Sequence, residues 1–369
     1  MRILQIVTYA SADGAFGGPL AVAVSQSTEL ARQGHQVDLA AGWDGQVAIA
    51  APGVRVNLFP VTRSIIGGFS GLRSKALQNF VRRTAASFDV IHVHIGRDLI
   101  TAPAAALALS RTRNLILQTH GMIMPDQRLK SRLFDLIWTK RLLKTARVVL
   151  HLTAKEQVGL RTVQKLTNLA PITNGVEIGP MSSGGERDRN DILFLARLHP
   201  RKRVLDFARA ALRVSSQFPS ARFNIVGPDE GDLERLKQFV TENHLEKIVA
   251  YEGTVAPGES LRRLGRCALY VLPSIGEVVP MSLLEAMSTG APCVITSDNG
   301  LAGPVKEARA GSVTDPDDAS LASAIAMLLK DDELRYKAGS AARHLVEQQF
   351  SSAAVVQSLL KYYDRGLSS

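Results

Sequence analysis

Two glutamates stand eight positions apart in the run Gly276-Glu277-Val278-Val279-Pro280-Met281-Ser282-Leu283-Leu284-Glu285. A carboxylate accepts two hydrogen bonds at once, and a ribose or hexose diol offers two donors. The pair could therefore grip one sugar at each end of a diphosphate. Pro280 fits the first position of a helix, where a missing N–H costs nothing, and Gly290 fits the position just past its end. The helix so bounded runs from about Pro280 to Thr289. Its first amides, near Met281, Ser282 and Leu283, have no intrahelical acceptor and can receive phosphate oxygens or sugar hydroxyls. The plainer reading of the bare pair is a carboxylate at a helix start and a solvated helix glutamate. Against it, Glu285 lies among Leu283, Leu284, Ala286 and Met287, where an unpartnered carboxylate is expensive.

Other candidates fall at turns that follow apolar runs. Arg197 and Lys202, in Phe194-Leu195-Ala196-Arg197-Leu198-His199-Pro200-Arg201-Lys202, would suit a diphosphate leaving group whose charge grows as a glycosidic bond breaks; the alternative is a solvated basic turn. Gly17 and Gly18, in Phe16-Gly17-Gly18-Pro19, would let a ligand approach the backbone closely, although the spacing is not the dinucleotide fingerprint. His120 follows Leu115–Gln118 and could bond a sugar hydroxyl or pack in its loop. His92 and His94 alternate on one strand and face one side. No third metal ligand accompanies them, so packing or lining is expected. Asp315-Pro316-Asp317-Asp318 spells D-x-D, but a helical run follows, and Asp317 or Asp318 reads as its N-cap. No metal site is expected.

Two α/β halves must position these groups. Strands are expected at Ile3–Val7, Gln36–Ala40, Val90–His94, Leu115–Gln118 and Arg147–Leu152, with helices between them. The stretch from Asn174 to Asn190 has linker composition. The alternation restarts at Asp191–Leu195, Arg222–Val226, Ile248–Tyr251, Leu269–Leu272 and Cys293–Thr296, with helices at Val204–Phe218 and Asp232–His244. A last helix is expected over Ser352–Tyr363. The expected organisation is a first domain at 1–175, a linker at 176–190, a second domain at 191–350 and a C-terminal helix at 351–369 that crosses back to the first domain. Two doubly wound domains of this kind can aim the carboxyl ends of their strands at one cleft.

The composition, 46% apolar and 21% charged over 369 residues, is globular. No apolar stretch approaches the roughly 20 residues a bilayer span needs. The opening Met1-Arg2-Ile3-Leu4-Gln5-Ile6-Val7 reads as a buried strand rather than a signal peptide, being short and broken by Gln5. Cys267 and Cys293 offer neither a disulfide framework nor metal-ligand spacing, which points to buried thiols in a reducing cytoplasm. The net charge of +10 admits nucleic acid, anionic lipid or an anionic small molecule. No recognisable nucleic-acid reader motif is present, so nucleic acid is not expected. The run Asp126–Arg147 holds Arg128, Lys130, Arg132, Lys140, Arg141, Lys144 and Arg147 around Leu133, Phe134, Leu136, Ile137 and Trp138. It can be a helix lying on an anionic membrane or an ordinary domain helix with a solvated basic face.

In order along the chain, Gly17-Gly18, Leu30-Ala31-Arg32-Gln33-Gly34-His35-Gln36-Val37, Ile172-Thr173-Asn174-Gly175-Val176, Ile225-Val226-Gly227-Pro228-Asp229, Tyr251-Glu252-Gly253 and the E-x7-E run from Glu277 to Glu285 resemble glycosyltransferase family 4. These are the retaining group 1 enzymes of the GT-B fold, two facing Rossmann-like domains. The E-x7-E run is the specific signature. The resemblance implies transfer of a hexose from a nucleotide sugar, GDP-mannose or a UDP-hexose, to a glycan or lipid-linked saccharide in cell-surface polysaccharide synthesis. It implies no cofactor and no catalytic metal. It further implies that Arg197 and Lys202 bind the donor diphosphate and that Glu277 contacts the donor sugar. The amides near Val279, Pro280, Met281 and Ser282 would hold its hydroxyls and phosphate, and Glu285 the ribose. Gly17 and Gly18 would let diphosphate and acceptor approach, and His120 would lie near the reaction centre. The enzyme would be cytoplasmic, on the inner face of the plasma membrane where the basic helix docks. A catalytically silent sugar-binding protein of the same fold is the alternative. Val278-Val279 stands where the family often has Gly-Phe, and Arg203 where it often has Gly.

Overall fold

A computed structural model describes residues 1–10, 17–46, 48–63, 71–112, 114–179, 187–256 and 258–364. Phe16, the whole glycine- and serine-rich stretch 180–186, and the residues after Asp364 lie outside this set. The chain divides into two α/β units, one of Met1–Gly175 with the segment from Ser352, the other of Val176–Ser351.

The strands of the first unit are β1 (Arg2–Ala10), β2 (Gln36–Trp43), β3 (Arg55–Pro60), the short β4 (Thr62–Arg63) and β5 (Leu72–Arg73), β6 (Val90–His94), β7 (Leu115–Gln118), β8 (Val148–His151) and β9 (Leu169–Pro171). Seven form a parallel sheet in the order β3-β2-β1-β6-β7-β8-β9, and β4 pairs with β5 alone. Strands buried on both faces carry continuous apolar runs. One face packs Leu4, Ile6, Ile91, Val93, Leu115 and Leu117 on helices that include Leu77, Val81, Ala104 and Leu142. The other packs Ile3, Val90, Ile116 and Leu150 beneath Leu30 and beneath Val355, Val356, Leu359 and Tyr363 of the final helix, Ser352–Asp364.

The second unit holds β10 (Asp188–Leu195), β11 (Arg222–Val226), β12 (Val249–Gly253), β13 (Cys267–Leu272), β14 (Cys293–Thr296) and β15 (Gly311–Thr314). They form a parallel sheet in the order β12-β11-β10-β13-β14-β15. Phe194, Phe207, Phe223, Leu269 and Ile325 fill one side, and Tyr270, Leu272, Leu284, Met287 and Ile295 the other. Cys267 and Cys293 are fully buried, and burial pushes both thiols up to about 12, so neither is a reactive thiolate. Asp317 caps the helix Asp318–Lys330, its side chain accepting from the Ser320 amide at 2.8 Å.

The expected linker at 176–190 is shorter than its composition implies. Val176 already belongs to the second unit's core, and β10 begins at Asp188. In each sheet the chain leaves the central strand on one side and resumes on the other, between β1 and β6 and between β10 and β13. Loops diverge at such switch points, and ligands of open parallel sheets bind beyond the carboxyl ends of the strands there.

Candidate active site

The second unit's switch point gathers the two segments that carry charge. After β10 the backbone is clamped: the Ala196 amide donates to the Val226 carbonyl at 3.0 Å and the Leu198 amide to the Pro228 carbonyl at 2.8 Å. Gly227 permits this approach, because a Cβ there would lie 1.9 Å from the Ala196 carbonyl oxygen. The chain then makes a 3-10 turn, Pro200–Lys202, and enters the helix Val204–Ser215 through Arg203. Arg203 has φ +57, a left-handed conformation that glycine adopts without penalty. The backbone thus accounts for the glycine often found there in the family. Arg203 compensates with an ion pair to Asp206 at 2.5 Å and a bond to the Pro316 carbonyl at 2.7 Å.

After β13 the loop to Glu277 is pinned by three hydrogen bonds, two of them to Arg201. The Ile275 amide donates to the Arg201 carbonyl at 3.0 Å, Arg201 Nη2 to the Gly276 carbonyl at 2.6 Å, and the Gly300 amide to the Glu277 carbonyl at 2.9 Å. Lys202 Nζ meets Glu277 Oε1 at 2.6 Å, both side chains largely buried. The two residues, 75 positions apart, are brought into one ion pair by the β10–β13 pairing.

The helix that follows is Met281–Ser288. Pro280 is its N-cap, not its first helical residue: its ψ of 121 is extended, while its φ of −72 suits either role. Gly290, with φ +79, ends the helix as expected. The amides of Met281, Ser282 and Leu283 precede the first intrahelical bond, from the Leu284 amide to the Pro280 carbonyl. The Ser282 hydroxyl is used inward. The buried Tyr270 hydroxyl donates to the Leu195 carbonyl at 3.2 Å, so Ser282 Oγ, 2.8 Å away, donates to Tyr270. Val279 and Met281 pack against the core. Glu285 lies further along the helix, and burial raises its carboxyl to about 7, with a Ser260 hydrogen bond opposing the rise.

Arg197 stands apart from this pair. It is 49% exposed, and its Nη1 meets Glu230 Oε1 at 2.6 Å. Among the described residues no ion pair or hydrogen bond joins it to Glu277. Nothing in the sequence reading pointed to Glu230 or to Tyr270.

In the first unit, Gly17 and Gly18 open the helix Gly17–Arg32 after β1. A Cβ at Gly18 would meet no atom of the described residues within 4 Å, so packing among them does not require glycine there. His120 sits in a turn closed by the Met122 amide donating to the Thr119 carbonyl at 2.8 Å, with φ +51. Buried Glu156 ties this turn down. It accepts from the Thr119 hydroxyl, from the Gly121 amide at 2.5 Å and from the Leu152 amide at 2.6 Å. His94 Nδ1 lies 2.7 Å from His120 Nε2, and His94 Nε2 lies 2.7 Å from Gln5 Oε1. His92 stacks on His94 with centroids 4.6 Å apart, and its Nδ1 is 2.8 Å from the Tyr363 hydroxyl. Burial lowers His92 and His120 to about 3 and His94 well below its ordinary range, so all three are neutral near pH 7. His92 and His94 are packed rather than exposed. No cluster of three or more metal-ligating side chains occurs among the described residues.

Two family models account for most of the chain: a glycosyl transferase 4-like domain over residues 17–175 and glycosyl transferases group 1 over residues 181–345. The chain belongs to the family 4, group 1 glycosyltransferases. Its two parallel-sheet units are those of the GT-B fold. The glycosyltransferase is 26% identical to the D-inositol 3-phosphate glycosyltransferase of Corynebacterium efficiens, covering 96% of this chain and 92% of that one. It is 27% identical to the UDP-Gal:alpha-D-GlcNAc-diphosphoundecaprenol alpha-1,3-galactosyltransferase of Escherichia coli over 58% of this chain and 59% of that one. In fold it is similar to HepE of Anabaena, solved in complex with UDP, with TM-score 0.76, 18% identity and coverage of 99% and 100%. It is also similar to TarM of S. aureus, with TM-score 0.75, 12% identity and coverage of 98% and 99%. No helix among the described residues of the glycosyltransferase is long and apolar enough to cross a membrane.

Proposed function

We propose that the glycosyltransferase moves a hexose, with retention of configuration, from a nucleotide sugar to a glycan or lipid-linked saccharide in cell-surface polysaccharide synthesis. The observation that carries this reading is the Lys202–Glu277 pair beside the first amides of the helix Met281–Ser288, those of Met281, Ser282 and Leu283, at the β10–β13 switch point. Lys202, joined by Arg197, meets the diphosphate, and the amides of Met281 and Ser282 receive its oxygens. Glu277 holds donor-sugar hydroxyls, and Glu285 accepts both ribose hydroxyls once ionised. The bond from the anomeric carbon to the diphosphate oxygen breaks as the acceptor oxygen bonds the same face. The acceptor's proton passes to the departing phosphate oxygen. His120, neutral and partly buried, serves as a hydrogen-bonding group rather than a titrating base. Side-chain cations meet the leaving group, so the reading calls for no metal ion.

A panel of UDP-, GDP- and ADP-sugars, read by thermal shift and turnover, tests it. One nucleotide class should stabilise the fold and support transfer, with GDP-mannose and the UDP-hexoses the leading donors. NMR of the product should show the donor's anomeric configuration. An inverted product, or no stabilisation by any nucleotide, would overturn the reading.

The acceptor side rests on the helical stretch built from Leu129–Phe134, the π-turn Asp135–Thr139 and Lys140–Thr145. Leu129, Leu133, Leu136 and Ile137 are 81, 56, 70 and 55% exposed on one stripe. Exposed Lys130, Arg132, Lys140, Arg141 and Lys144 accompany them. Buried Asp135, paired with Arg97 at 2.8 Å, bolts the opposite face down. Apolar residues ringed by cations match an anionic bilayer surface, each cation adding about 1 kcal/mol. The undecaprenol-linked acceptor named for the E. coli relative supports a lipid-linked acceptor here. Leu133→Asp with Leu136→Asp should abolish sedimentation with anionic vesicles while leaving nucleotide stabilisation intact. Unchanged sedimentation would refute docking.

A further inference from the structure

The histidines beneath His120 do more than fill space. His94 is neutral and engages both ring nitrogens. Gln5 Oε1 can only accept, so His94 Nε2 carries the proton it donates over 2.7 Å. A neutral imidazole has one N–H, and His94 Nδ1 is therefore an acceptor. The group facing it at 2.7 Å, His120 Nε2, must be the donor. Neutral His120 is then bare at Nδ1, which has no hydrogen-bond partner among the described residues. The rings of His92, His94 and His120 stack in sequence, with centroid separations of 4.6 and 5.0 Å and interplanar angles of 19° and 17°. Tyr363 closes the stack at the far end.

We propose that Gln5 and His94 are positioning residues that hold His120 in the Nε2–H tautomer, so that it offers a sugar hydroxyl an acceptor rather than a donor. The proposal rests on the reading of His120 as a sugar-facing group, although the tautomer itself is a property of the free protein. Two further observations bear on it. Gln5 is a fully buried amide between Leu4 and Ile6, a costly residue for packing alone. The left-handed backbone of His120, held by Glu156, is local strain of the kind kept at working sites.

Proton-detected nitrogen correlation spectra of the full chain, labelled at its 8 histidines, test the tautomer. His120→Asn assigns the resonance. His120 should show a protonated Nε2 and a bare Nδ1, unchanged from pH 6 to 8. A His120 protonated at Nδ1, as a turned-over Gln5 amide would require, overturns the proposal whether or not transfer occurs. Gln5→Leu should release the preference, giving a mixed tautomer and about a tenfold loss of kcat with donor KM within twofold. A Gln5→Leu protein with the wild-type His120 spectrum would show that Gln5 has no such role. If the spectra follow expectation while kcat is unmoved, the tautomer is set as proposed but His120 does not face the sugar.

Discussion

Glu285→Gln should make the protein more stable and the enzyme worse. Burial lifts the Glu285 carboxyl from 4.5 to about 7. At about 1.36 kcal/mol per unit, the ionised native state carries a penalty of about 3 kcal/mol. Because the folded-state value is raised, the favourable contribution of the protonated form is fully present below pH 4.5 and is lost as pH rises towards 7. Glutamine keeps the neutral shape at every pH. The variant should therefore exceed wild type by about 3 kcal/mol at pH 8 and by less than about 1 kcal/mol at pH 5. Urea unfolding of both proteins across this range, followed by circular dichroism, measures the difference. Nucleotide binding should move the other way. Only the carboxylate accepts both ribose hydroxyls, so wild-type affinity should rise about tenfold between pH 6 and 8, while the variant binds weakly and without pH dependence. A stability gap that is flat with pH, or a variant less stable at pH 8, would refute the reasoning.

Lys202→Met should lower kcat by about 100-fold or more, with the fold intact by circular dichroism, because the proposed mechanism sets this cation against the charge growing on the leaving group. Glu230→Gln should lower the KM for the nucleotide sugar, since it releases Arg197 from its present partner; an unchanged KM in steady-state assays would place Arg197 outside the donor site. Arg203→Gly should leave the urea midpoint nearly unchanged, the relief of a left-handed backbone costing about 1–2 kcal/mol offsetting the lost Asp206 and Pro316 contacts. Glu156→Ala strands the Gly121 and Leu152 amides and should destabilise the first unit by about 3 kcal/mol or more, read as a lower thermal midpoint.

Strands buried on both faces were legible as short apolar runs. The bounds expected for Val90–His94, Leu115–Gln118, Arg222–Val226 and Cys293–Thr296 are those of the structure. The edge strand β3 was missed because Asn57 and Pro60 dilute its apolar signal, and β15 because it opens on Gly311. At the candidate site, Lys202 and Glu277 were singled out because each lies in the loop that follows a recognisable strand, and Glu285 by its place in the E-x7-E run. Which of them touch depends on strand order, a tertiary fact, and so the Lys202–Glu277 pair and the diversion of Arg197 to Glu230 were not legible. Glu156 gave half a signal, as the last residue of a Thr-x-x-Glu cap whose hydroxyl partner is Thr153. Its bonds to Thr119 and Gly121 come from another loop. The histidine stack joins β1, β6, a loop and the last helix, and no local pattern announces it.

The last helix has a consequence for how the chain is made. Its Tyr363 bonds His92 across 271 positions, and Val355, Val356 and Leu359 cover one face of the first sheet. That face cannot be completed until the whole second unit has left the ribosome. The second unit, Val176–Ser351, is continuous in sequence and can fold as soon as it emerges. A chain ending before Ser352 would carry a complete second unit and, on the first, an uncovered apolar face of the kind that invites association.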